Sequence, residues 1–398
     1  MILEYIHKDS SRETIDINLS KEISDAWIDI NSTNKVEFIK EFLPAYNSKQ
    51  KIVLFDSNHK QLLKFNQDND INKFNNITEV NSKCQILFFT SGSSGFPVGA
   101  FKTKENLERE VQVLKSLLKE YSIKRVVVTV PFIHIYGVLA GLLLPIHLYG
   151  VKLVIKDDFL PYELLEEASF DDTLVVTTPV FIKALSKLNT NSKLTSNLFI
   201  CSTGPLHIDD VTVFENKFET NLLQLFGSTE TGGIAYKFSK RIKWTLLDNV
   251  HISIKDNKLN VISPFISPFI FNKKILRVES SFTTEDIVEI DEIDEDKFTL
   301  IGRSNKIIKI AGKRISAIQI ESIIETIPDV NKAIVELIYK KEMLRSEQII
   351  IILEATSKVD VKIIKQAISK YYGTLTIPFS VKYVDKIDYS AMGKKIIF

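Results

Sequence analysis

The chain has 398 residues, of which 44% are hydrophobic and 25% charged, a composition typical of a globular protein with two or three folded units. Its 51 lysines and arginines nearly balance 50 aspartates and glutamates, so the net charge of +1 gives no support to a nucleic-acid partner. The most apolar run, residues 138–144, is far shorter than the ~20 residues of a membrane span, and we predict none.

Short apolar segments alternate with helical patterns along much of the chain and predict a parallel sheet with helices on its faces. The predicted strands are 86–89, 126–130, 153–155, 174–177 and 198–201. Residues 104–120 carry apolar side chains on one stripe and predict a helix between the first two strands. The first 80 residues fit this scheme poorly, and we expect the Asn-rich stretch 66–81 to be a loop or connector.

The pattern changes after about residue 235 to the alternation of antiparallel strands. Strands are predicted within 250–262, 286–291 and 297–302, then at 307–310, 333–339, 349–354 and 380–384, with helices at 317–327 and 361–372. Ser316 and Gln319 have the spacing of a capping box for the first of these helices. We therefore predict a large N-terminal domain, 1–304, and a small α+β domain, 305–398.

A loop rich in glycine and hydroxyl residues follows the predicted strand 86–89. It comprises Thr90, Ser91, Gly92, Ser93, Ser94 and Gly95. Such a loop gathers unpaired N–H groups without bulky side chains, which suits a polyphosphate. It lacks the Gly-Lys-Ser/Thr ending of the common P-loop and the spacing of a dinucleotide fingerprint. A flexible surface loop is the alternative.

Two further motifs follow predicted strands, and a third lies on a glycine-rich turn. His134 lies in the segment 131–137, and a lone histidine there is more often structural. Residues 202–206, Ser-Thr-Gly-Pro-Leu, are by themselves only a turn. The third motif brings Phe226, Thr229 and Glu230 together, so that a ring, a hydroxyl and a carboxylate suit a base, a phosphate and Mg²⁺. A capped helix start is the plainer interpretation of this motif.

Two charged motifs complete the set. Asp286 and Arg303 close a predicted hairpin and suit the two hydroxyls of a ribose, although charged residues on hairpins are common. Lys394 follows Gly393 close to the end of the chain, where most lysines are only solvated charges.

In this order and spacing, from about residue 86 onward, the motifs resemble the adenylate-forming superfamily of acyl- and aryl-CoA synthetases, nonribosomal adenylation domains and luciferases. The phrases TSGSSGFP, PFIHIYG, GSTETGGIA and GKRIS are most similar to the short acyl-acyl-carrier-protein synthetase-like ligases of aryl-polyene-type pathways. The resemblance implies an α/β fold with mostly parallel sheets layered with helices and a smaller distorted β-barrel-like part. A small mobile α+β domain with the catalytic lysine would follow, and the first subdomain would be abbreviated.

The resemblance also assigns the nucleotide contacts. The loop from Thr90 to Gly95 would hold the β- and γ-phosphates of ATP and then release pyrophosphate. Phe226 and the turn of Gly204 and Pro205 would sandwich the adenine, and Gly227 and Ser228 would belong to the nucleotide site. Asp286 and Arg303 would bind the ribose hydroxyls.

The catalytic roles follow in the same way. Thr229 would contact the α-phosphate, Glu230 would hold Mg²⁺, and His134 would lie near the carboxylate of the acid. Lys394 would bridge that carboxylate and the α-phosphate, because a cation offsets the repulsion between two approaching anions. Asn305 would be the hinge of the mobile domain.

One residue departs from the family pattern beside the phosphate loop. The loop is usually followed by Pro-Lys-Gly, but here Val98 takes the place of the lysine. Lys102 lies four residues further on, and we hypothesise that it supplies the missing charge as part of the nucleotide site.

The resemblance implies an ATP-dependent acid–thiol ligase that adenylates an aryl or fatty acid. The acyl group would pass to the phosphopantetheine thiol of an acyl carrier protein or of CoA, and the acyl pocket would lie near 134–141 and 232–235, where small residues leave room. The alternatives are a non-catalytic nucleotide-binding relative and an enzyme that stops at acyl-AMP.

The cysteines and the first residues concern the compartment. Cys84 and Cys201 lack metal-ligand spacing and are predicted to be buried thiols of a reducing compartment. The opening residues lack the pattern of a signal peptide, and we expect a cytoplasmic protein.

Overall fold

The chain forms two compact units in the computed structural model. The first unit comprises Met1–Ile252 and Val261–Phe282, and the second comprises Ser253–Asn260 and Thr283–Phe398. The structure describes all residues except 1, 18, 20–25, 55, 57–76, 91–97, 240, 305–306, 311–312, 340–346, 373–378, 390–394 and 397–398. Within the described ranges, no helix has the length and apolar character needed to cross a membrane.

A large sheet dominates the first unit, and its central strands are parallel. Its strands follow in the order Trp244–Leu246, Gly232–Phe238, Asn221–Ser228, Leu198–Cys201, Thr173–Thr177, Arg125–Val128, Lys152–Ile155, Ile2–Ile6 and Arg12–Ile15. The first two strands and the last pair antiparallel with their neighbours. The predicted parallel sheet is confirmed, and its nearly continuous apolar strands are those of a sheet covered on both faces.

Helices cover this sheet. Those of the large sheet are Lys104–Leu117, Leu144–His147, Pro161–Ala168, Pro179–Lys187 and Ile208–Phe218, with a π-helical stretch Gly137–Leu143. The helix Lys104–Leu117 begins at Thr103, whose hydroxyl accepts a hydrogen bond from the Asn106 backbone amide, while the Thr103 backbone amide donates to the side-chain oxygen of Asn106. Phe199, Phe214 and Phe218 pack between sheet and helices in one apolar core.

A second sheet of six strands completes the first unit. Its order is Lys274–Arg277, Phe269–Asn272, Val98–Lys102, Ile86–Thr90, Ile52–Leu54 and Ile28–Ile30, accompanied by the helices Lys35–Asn47 and Thr78–Lys83. The expectation of a loop over 66–81 is wrong at its end, since Thr78–Lys83 is helical and buries Val80. Residues 66–76 lie outside the described part of the chain.

Both cysteines are buried in the first unit, as predicted. Cys84 packs with Trp27 and Phe101 beside the second sheet, while Cys201 belongs to the core of the large sheet. Burial raises the pKa of the Cys84 thiol to about 12 and that of Cys201 even further.

The second unit contains an antiparallel pair and a small α+β layer. The pair is Asp286–Ile290 with Lys297–Arg303. A three-stranded sheet of His251–Lys255, Lys258–Ile262 and Phe282–Thr283 contributes residues 253–260 and 283. The remaining elements are the hairpins Ile307–Ile310 with Lys313–Ser316 and Asp388–Tyr389 with Lys395–Ile396, the helices Ala317–Ile324 and Val361–Tyr372, and the sheet Val330–Tyr339, Glu347–Ala355 and Phe379–Tyr383.

Two details of the second unit differ from the sequence-based expectations. Ser316 precedes the helix Ala317–Ile324, but its side chain makes no capping hydrogen bond. The predicted capping box is therefore wrong: Ser316 is the last residue of a strand and pairs with Ile307. The compact units divide before Thr283, so the pair Asp286–Ile290 and Lys297–Arg303 groups with the small layer; the boundary at 304 stays a prediction.

Candidate active site

The candidate residues of the first unit follow the ends of neighbouring parallel strands. His134 comes after Arg125–Val128, Gly204 after Leu198–Cys201, and Glu230 after Asn221–Ser228. Since carboxyl ends of parallel strands share one edge of a sheet, these segments lie at the edge where α/β proteins bind ligands. The topology therefore groups three motifs that are spread over about 100 residues of the chain.

Tyr136 fixes the segment that carries His134. Its hydroxyl donates to the carbonyl of Thr177 at 3.1 Å and of Ile200 at 2.9 Å, so it joins the ends of two adjacent strands. Burial raises the pKa of Tyr136 well above its usual range, which keeps the phenol protonated as a donor. His134 is half-buried, and its carbonyl accepts from the amide of Val138 at 3.0 Å.

The segment continues as the π-helical stretch Gly137–Leu143, a helix type found often at functional sites. A Cβ at Gly137 would lie 2.0 Å from the carbonyl oxygen of Pro131, and one at Gly141 would lie 2.8 Å from Cγ1 of Val128. Close packing thus requires both glycines. The interpretation that the small residues here leave room for an acyl group is wrong at these two positions, because neighbouring protein atoms occupy the space.

The turn after Leu198–Cys201 has a strained backbone. Thr203 has a φ of +83°, which is rare for a β-branched residue, and its buried hydroxyl has no hydrogen-bond partner within the described part of the chain. Ser202 anchors the turn by donating to the carbonyl of Leu225 at 3.0 Å. Gly204 and Pro205 are exposed, and a Cβ at Gly204 would meet only Cγ of Pro179, at 3.7 Å. Strain of this kind clusters at ligand-binding sites.

Phe226 ends the apolar part of the strand Asn221–Ser228. Its ring lies 5.4 Å from the ring of Trp244 at an angle of 45°. The Lys237 ammonium, on the neighbouring strand Gly232–Phe238, lies 4.6 Å from the centre of the Trp244 ring. Trp244 therefore supports the aromatic residue that the sequence assigns to adenine.

The chain then forms a tight turn, residues 228–233, which holds Thr229 and Glu230. Ser228 and Thr231 bind each other reciprocally: the Ser228 amide donates to Thr231 Oγ1 and the Thr231 amide donates to Ser228 Oγ, both at 3.2 Å. Gly232 has a φ of +72°, a conformation that favours glycine. The side chains and backbone of the turn therefore contribute to its conformation.

Glu230 is half-buried on this turn, and its carbonyl accepts two hydrogen bonds. The donors are the amide of Ser267 at 2.8 Å and Nζ of Lys102 at 3.3 Å. A lone carboxylate fits Mg²⁺, which takes one or two protein carboxylates together with phosphate oxygens. The described side chains contain no group of three or more histidines, cysteines or carboxylates placed to hold a metal.

Lys102 is fully buried below the turn. Its second hydrogen bond goes to the carbonyl of Phe265 at 2.6 Å. Burial lowers the pKa of Lys102 to about 8, against the attraction of Glu110 and Glu230. The two hydrogen-bond acceptors of Lys102 are thus backbone carbonyls, those of Glu230 and Phe265. The phosphate contact hypothesised from the sequence stays a prediction.

The second unit brings together the two predicted ribose residues. Asp286 and Arg303 are direct partners across the antiparallel pair, with Arg303 Nε 3.6 Å from Asp286 Oδ1. Asp286 is mostly buried, whereas Arg303 is about half exposed. Beside them, Glu285 accepts from Lys258 Nζ at 2.8 Å and from the Ser304 hydroxyl, which holds the pKa of Glu285 below its usual range.

Several predicted residues fall outside the described part of the chain. They are Ser91, Gly92, Ser93, Ser94, Gly95, Asn305 and Lys394. The backbone of Thr90 is described and pairs with Val98, so the two ends of the phosphate loop lie side by side in neighbouring strands.

Sequence reasoning missed Glu110, Tyr136 as an anchor, and Trp244. Glu110 lies on the buried face of the helix Lys104–Leu117 with Leu107, Val111 and Leu114. A carboxylate on an apolar stripe was the available signal, because such a group is rarely buried unless it is paired. Trp244 belongs to a short strand whose pairing is visible only in the fold.

Comparison of the sequence with known proteins gives one family. Residues 9–264, more than half of the chain, match the family model for AMP-binding enzyme. The chain is 23% identical over 338 residues to peroxisomal OPC-8:0-CoA ligase 1 of Arabidopsis thaliana, covering 77% of this chain and 62% of that protein. It is 26% identical over 231 residues to 4-coumarate–CoA ligase of Halorhodospira halophila, covering 58% and 54%. The chain thus spans less than two thirds of the length of either relative.

Solved structures share the fold. ATP-bound MatB from Rhodopseudomonas palustris matches with a TM-score of 0.78 and 16% identity, over 95% of this chain and 88% of that one. The o-succinylbenzoate CoA synthetase MenE from Bacillus subtilis, in complex with the intermediate OSB-AMP, matches with a TM-score of 0.78 and 17% identity, over 94% and 87%. The α/β fold predicted from the sequence is therefore confirmed.

Proposed function

We propose that this chain, which belongs to the AMP-binding enzyme family, is an ATP-dependent acid–thiol ligase. It activates a carboxylic acid as an acyl-adenylate with release of pyrophosphate. It then transfers the acyl group to the phosphopantetheine thiol of an acyl carrier protein or of CoA.

The turn 228–233 is the observation that carries the proposal. It presents a hydroxyl and a carboxylate, those of Thr229 and Glu230, one strand away from the strained turn of Thr203. An aromatic ring, Phe226, precedes the turn on the same strand. This is the set of groups that a base, an α-phosphate and a magnesium ion require at one edge of a sheet. In the second unit, the Asp286–Arg303 pair supports a contact with the ribose.

In the first half-reaction, a carboxylate oxygen of the acid attacks the α-phosphorus of ATP. The bond from that phosphorus to the bridging oxygen breaks, and pyrophosphate leaves. Thr229 donates a hydrogen bond to an α-phosphate oxygen, and Lys394 offsets the repulsion between the two anions. Glu230 would hold Mg²⁺, which supplies charge neutralisation for the phosphates.

In the second half-reaction, the sulfur of the thiol attacks the carbonyl carbon of the acyl-adenylate. The bond between that carbon and the phosphate oxygen breaks, AMP leaves, and the thiol proton passes to solvent. The side chains of Cys84 and Cys201 take no part, because both are buried in apolar cores.

The names of the relatives support an aryl or fatty acid as substrate. They include ligases for 4-coumarate and for OPC-8:0, and a long chain fatty acid–CoA ligase of Staphylococcus aureus that is 23% identical. The acceptor is the less constrained part of the proposal, and an acyl carrier protein and CoA offer the same thiol chemistry. A cytoplasmic location is part of the proposal.

Acid-dependent exchange between ATP and pyrophosphate tests the first half-reaction across a panel of aryl and fatty acids. Thiol-dependent release of AMP, measured with CoA and with a phosphopantetheinylated carrier protein, tests the second. We expect both with at least one acid. Absence of exchange with every acid contradicts the proposal and favours a non-catalytic nucleotide-binding protein. Exchange without thioester formation favours an enzyme that stops at acyl-AMP.

A further inference from the structure

Two buried side chains of opposite charge hold the turn 228–233 from below. Lys102 is the last residue of the strand Val98–Lys102, and Glu110 lies in the helix that follows it. Both belong to the first unit, as does the turn. Lys102 contacts the turn at Glu230, and Glu110 contacts it at Gly233, so that the two side chains hold different residues of the turn.

The Lys102 ammonium joins the turn to a second loop. It donates to the carbonyls of Glu230 and Phe265, at 3.3 Å and 2.6 Å, and is fully buried. The loop of Phe265 is itself tied to the helix, since Asn106 Nδ2 donates to the carbonyl of Pro264 at 2.6 Å. A buried ammonium without such acceptors would be strongly unfavourable, so the two carbonyls and the lysine depend on each other.

Glu110 holds the last residue of the turn, Gly233. Its Oε1 accepts from the amide of Gly233 at 2.7 Å, whereas its Oε2 is buried with no hydrogen-bond partner among the residues that the structure describes. A Cβ at Gly232 would lie 2.6 Å from that Oε2 and 2.7 Å from Cβ of Phe265. The carboxylate therefore fits against bare backbone, and no side chain has space at this point of the turn.

Lys102 and Glu110 carry opposite charges, and their attraction lowers the cost of burying both. Glu110 and Lys102 attract each other: burial raises the pKa of Glu110, and the nearby lysine opposes that rise. An isolated charge at either position would pay a large desolvation cost, while an opposite pair pays less. One positive and one negative side chain thus accompany the turn without adding net charge beneath Glu230.

We propose that Lys102 and Glu110 are positioning residues that fix the turn 228–233 at Glu230 and at Gly233, so that Thr229 and Glu230 are held in place before the nucleotide arrives. The identity of the ligand as a nucleotide rests on the proposed function. The contacts of Lys102 and Glu110 with the turn, which we call the clamp, do not depend on that function. The role differs from a phosphate contact, because Lys102 acts through the backbone of Glu230. This positioning role of Lys102 is independent of whether Lys102 also supplies the charge of the lysine that Val98 replaces.

Hydrogen–deuterium exchange on the ligand-free protein tests the clamp without any assay of activity. The variants K102M and E110A remove one contact each, and we expect exchange in peptides covering 228–233 to rise by about tenfold. E110Q keeps an oxygen for the Gly233 amide and should restore most of the protection. Peptides from the strand Lys152–Ile155 should not change.

K35M is the matched control. Lys35 is also a buried lysine of the first unit that donates to two backbone carbonyls, those of Val128 and Lys156, but it does not contact the turn. The clamp is refuted if K102M and E110A exchange like the wild type over 228–233, or if K35M raises exchange there as much as they do.

The second readout is the binding of ATP by calorimetry at a series of Mg²⁺ concentrations. In K102M, we expect the Mg²⁺ concentration for half-maximal binding to rise about tenfold, with K35M close to the wild type. Unchanged Mg²⁺ dependence in K102M contradicts the inference. If the wild type shows no acid-dependent ATP–pyrophosphate exchange, only the proposed ligase function is overturned. The hydrogen–deuterium exchange result for the clamp would still stand.

Discussion

Lys395 makes three polar contacts within the second unit. Its Nζ lies 3.1 Å from Glu321 Oε2, 2.6 Å from Glu325 Oε1 and 2.8 Å from the carbonyl of Ala333. Burial alone would lower the pKa of Lys395, but the two carboxylates raise it above its usual value. The side chain is therefore a structural cation, and Lys394 is the better candidate of the two adjacent lysines for the catalytic role.

Exchanging these neighbours one at a time tests that assignment. We expect K394A to lower ATP–pyrophosphate exchange by about a hundredfold or more, because one cation between two reacting anions contributes several kcal/mol to the transition state. We expect K395M to lower the melting temperature by several degrees, because it leaves Glu321 and Glu325 without their buried partner, and to keep exchange within about threefold.

Supplied acyl-AMP separates the two half-reactions in K394A. Thioester formation from acyl-AMP should survive in this variant, since the two anions have already been joined. The assignment is wrong if K394A loses both half-reactions equally, or if K395M loses exchange while its melting temperature stays unchanged.

The sequence was sufficient to predict that certain candidate residues lie close together, while their roles stay predictions. Thr229 and Glu230 adjoin each other in a glycine-rich segment, and Asp286 and Arg303 turned out to be direct partners. Lys102 and Glu110 could not be assigned in this way. Their partners are main-chain atoms more than 100 residues away, and a backbone carbonyl has no signature in a sequence.

The π-helical stretch Gly137–Leu143 is the element where the sequence was misread. Its glycines and alanine suggested space, but the structure fills the space at Gly137 with the carbonyl of Pro131 and at Gly141 with Val128. A sequence shows the size of each side chain, but it does not show whether neighbouring residues occupy the space beside a small one. Short parallel strands were easier to predict, because a short run of branched apolar residues is typical of a buried strand.

We expect G137A to destabilise the protein by about 2–4 kcal/mol, since overpacking against a backbone atom cannot be relieved by a rotamer change. The added methyl group would push residues 131–134 away and move His134. Urea unfolding measures the loss, and a higher Michaelis constant for the acid would report the shift of His134.

G204A is the matched control for this stability measurement. The same substitution there meets only Cγ of Pro179, at the ordinary contact distance of 3.7 Å, and should change the free energy of unfolding by less than about 0.5 kcal/mol. Equal stability of G137A and wild type would show that the stretch can relax and would refute the packing argument.

At the scale of the molecule, Lys35 links a helix to the large sheet. It lies in the first turn of the helix Lys35–Asn47 and donates to the carbonyls of Val128 and Lys156, at 2.8 Å and 2.7 Å. Burial lowers the pKa of Lys35 from 10.5 to about 7, although Asp157 and Asp158 oppose the shift. The folded protein therefore binds fewer protons at this site than the unfolded chain between these two pH values.

Stability should accordingly rise with pH through this window. The unfolded state releases its proton only near pH 10.5, so this group contributes a slope of at most about 1.4 kcal/mol per pH unit above pH 7. Urea unfolding of wild type and K35M between pH 7 and pH 10 measures it. We expect the free energy of unfolding to rise less steeply in K35M; parallel curves would contradict the pKa direction.

The overall architecture was predictable because each level pointed to the same answer. Strand and helix patterns and the order of the motifs all favoured an α/β fold with layered, mostly parallel sheets, and the solved structures confirm that fold. The first 80 residues were the exception. Their strands Ile28–Ile30 and Ile52–Leu54 have three residues each, too few to produce a periodic pattern. The helix Lys35–Asn47 is longer but contains Pro44, a residue that usually ends a helix.

The burial of both cysteines makes the chain convenient for site-specific labelling. Thiolate is the reactive form, and burial raises the pKa of Cys84 and Cys201 far above that of a free thiol. Maleimide dyes should therefore leave the native protein unmodified at neutral pH. A single cysteine introduced on an exposed surface of either unit would carry a fluorophore without prior removal of the natural ones, which opens the two proposed half-reactions to direct optical observation.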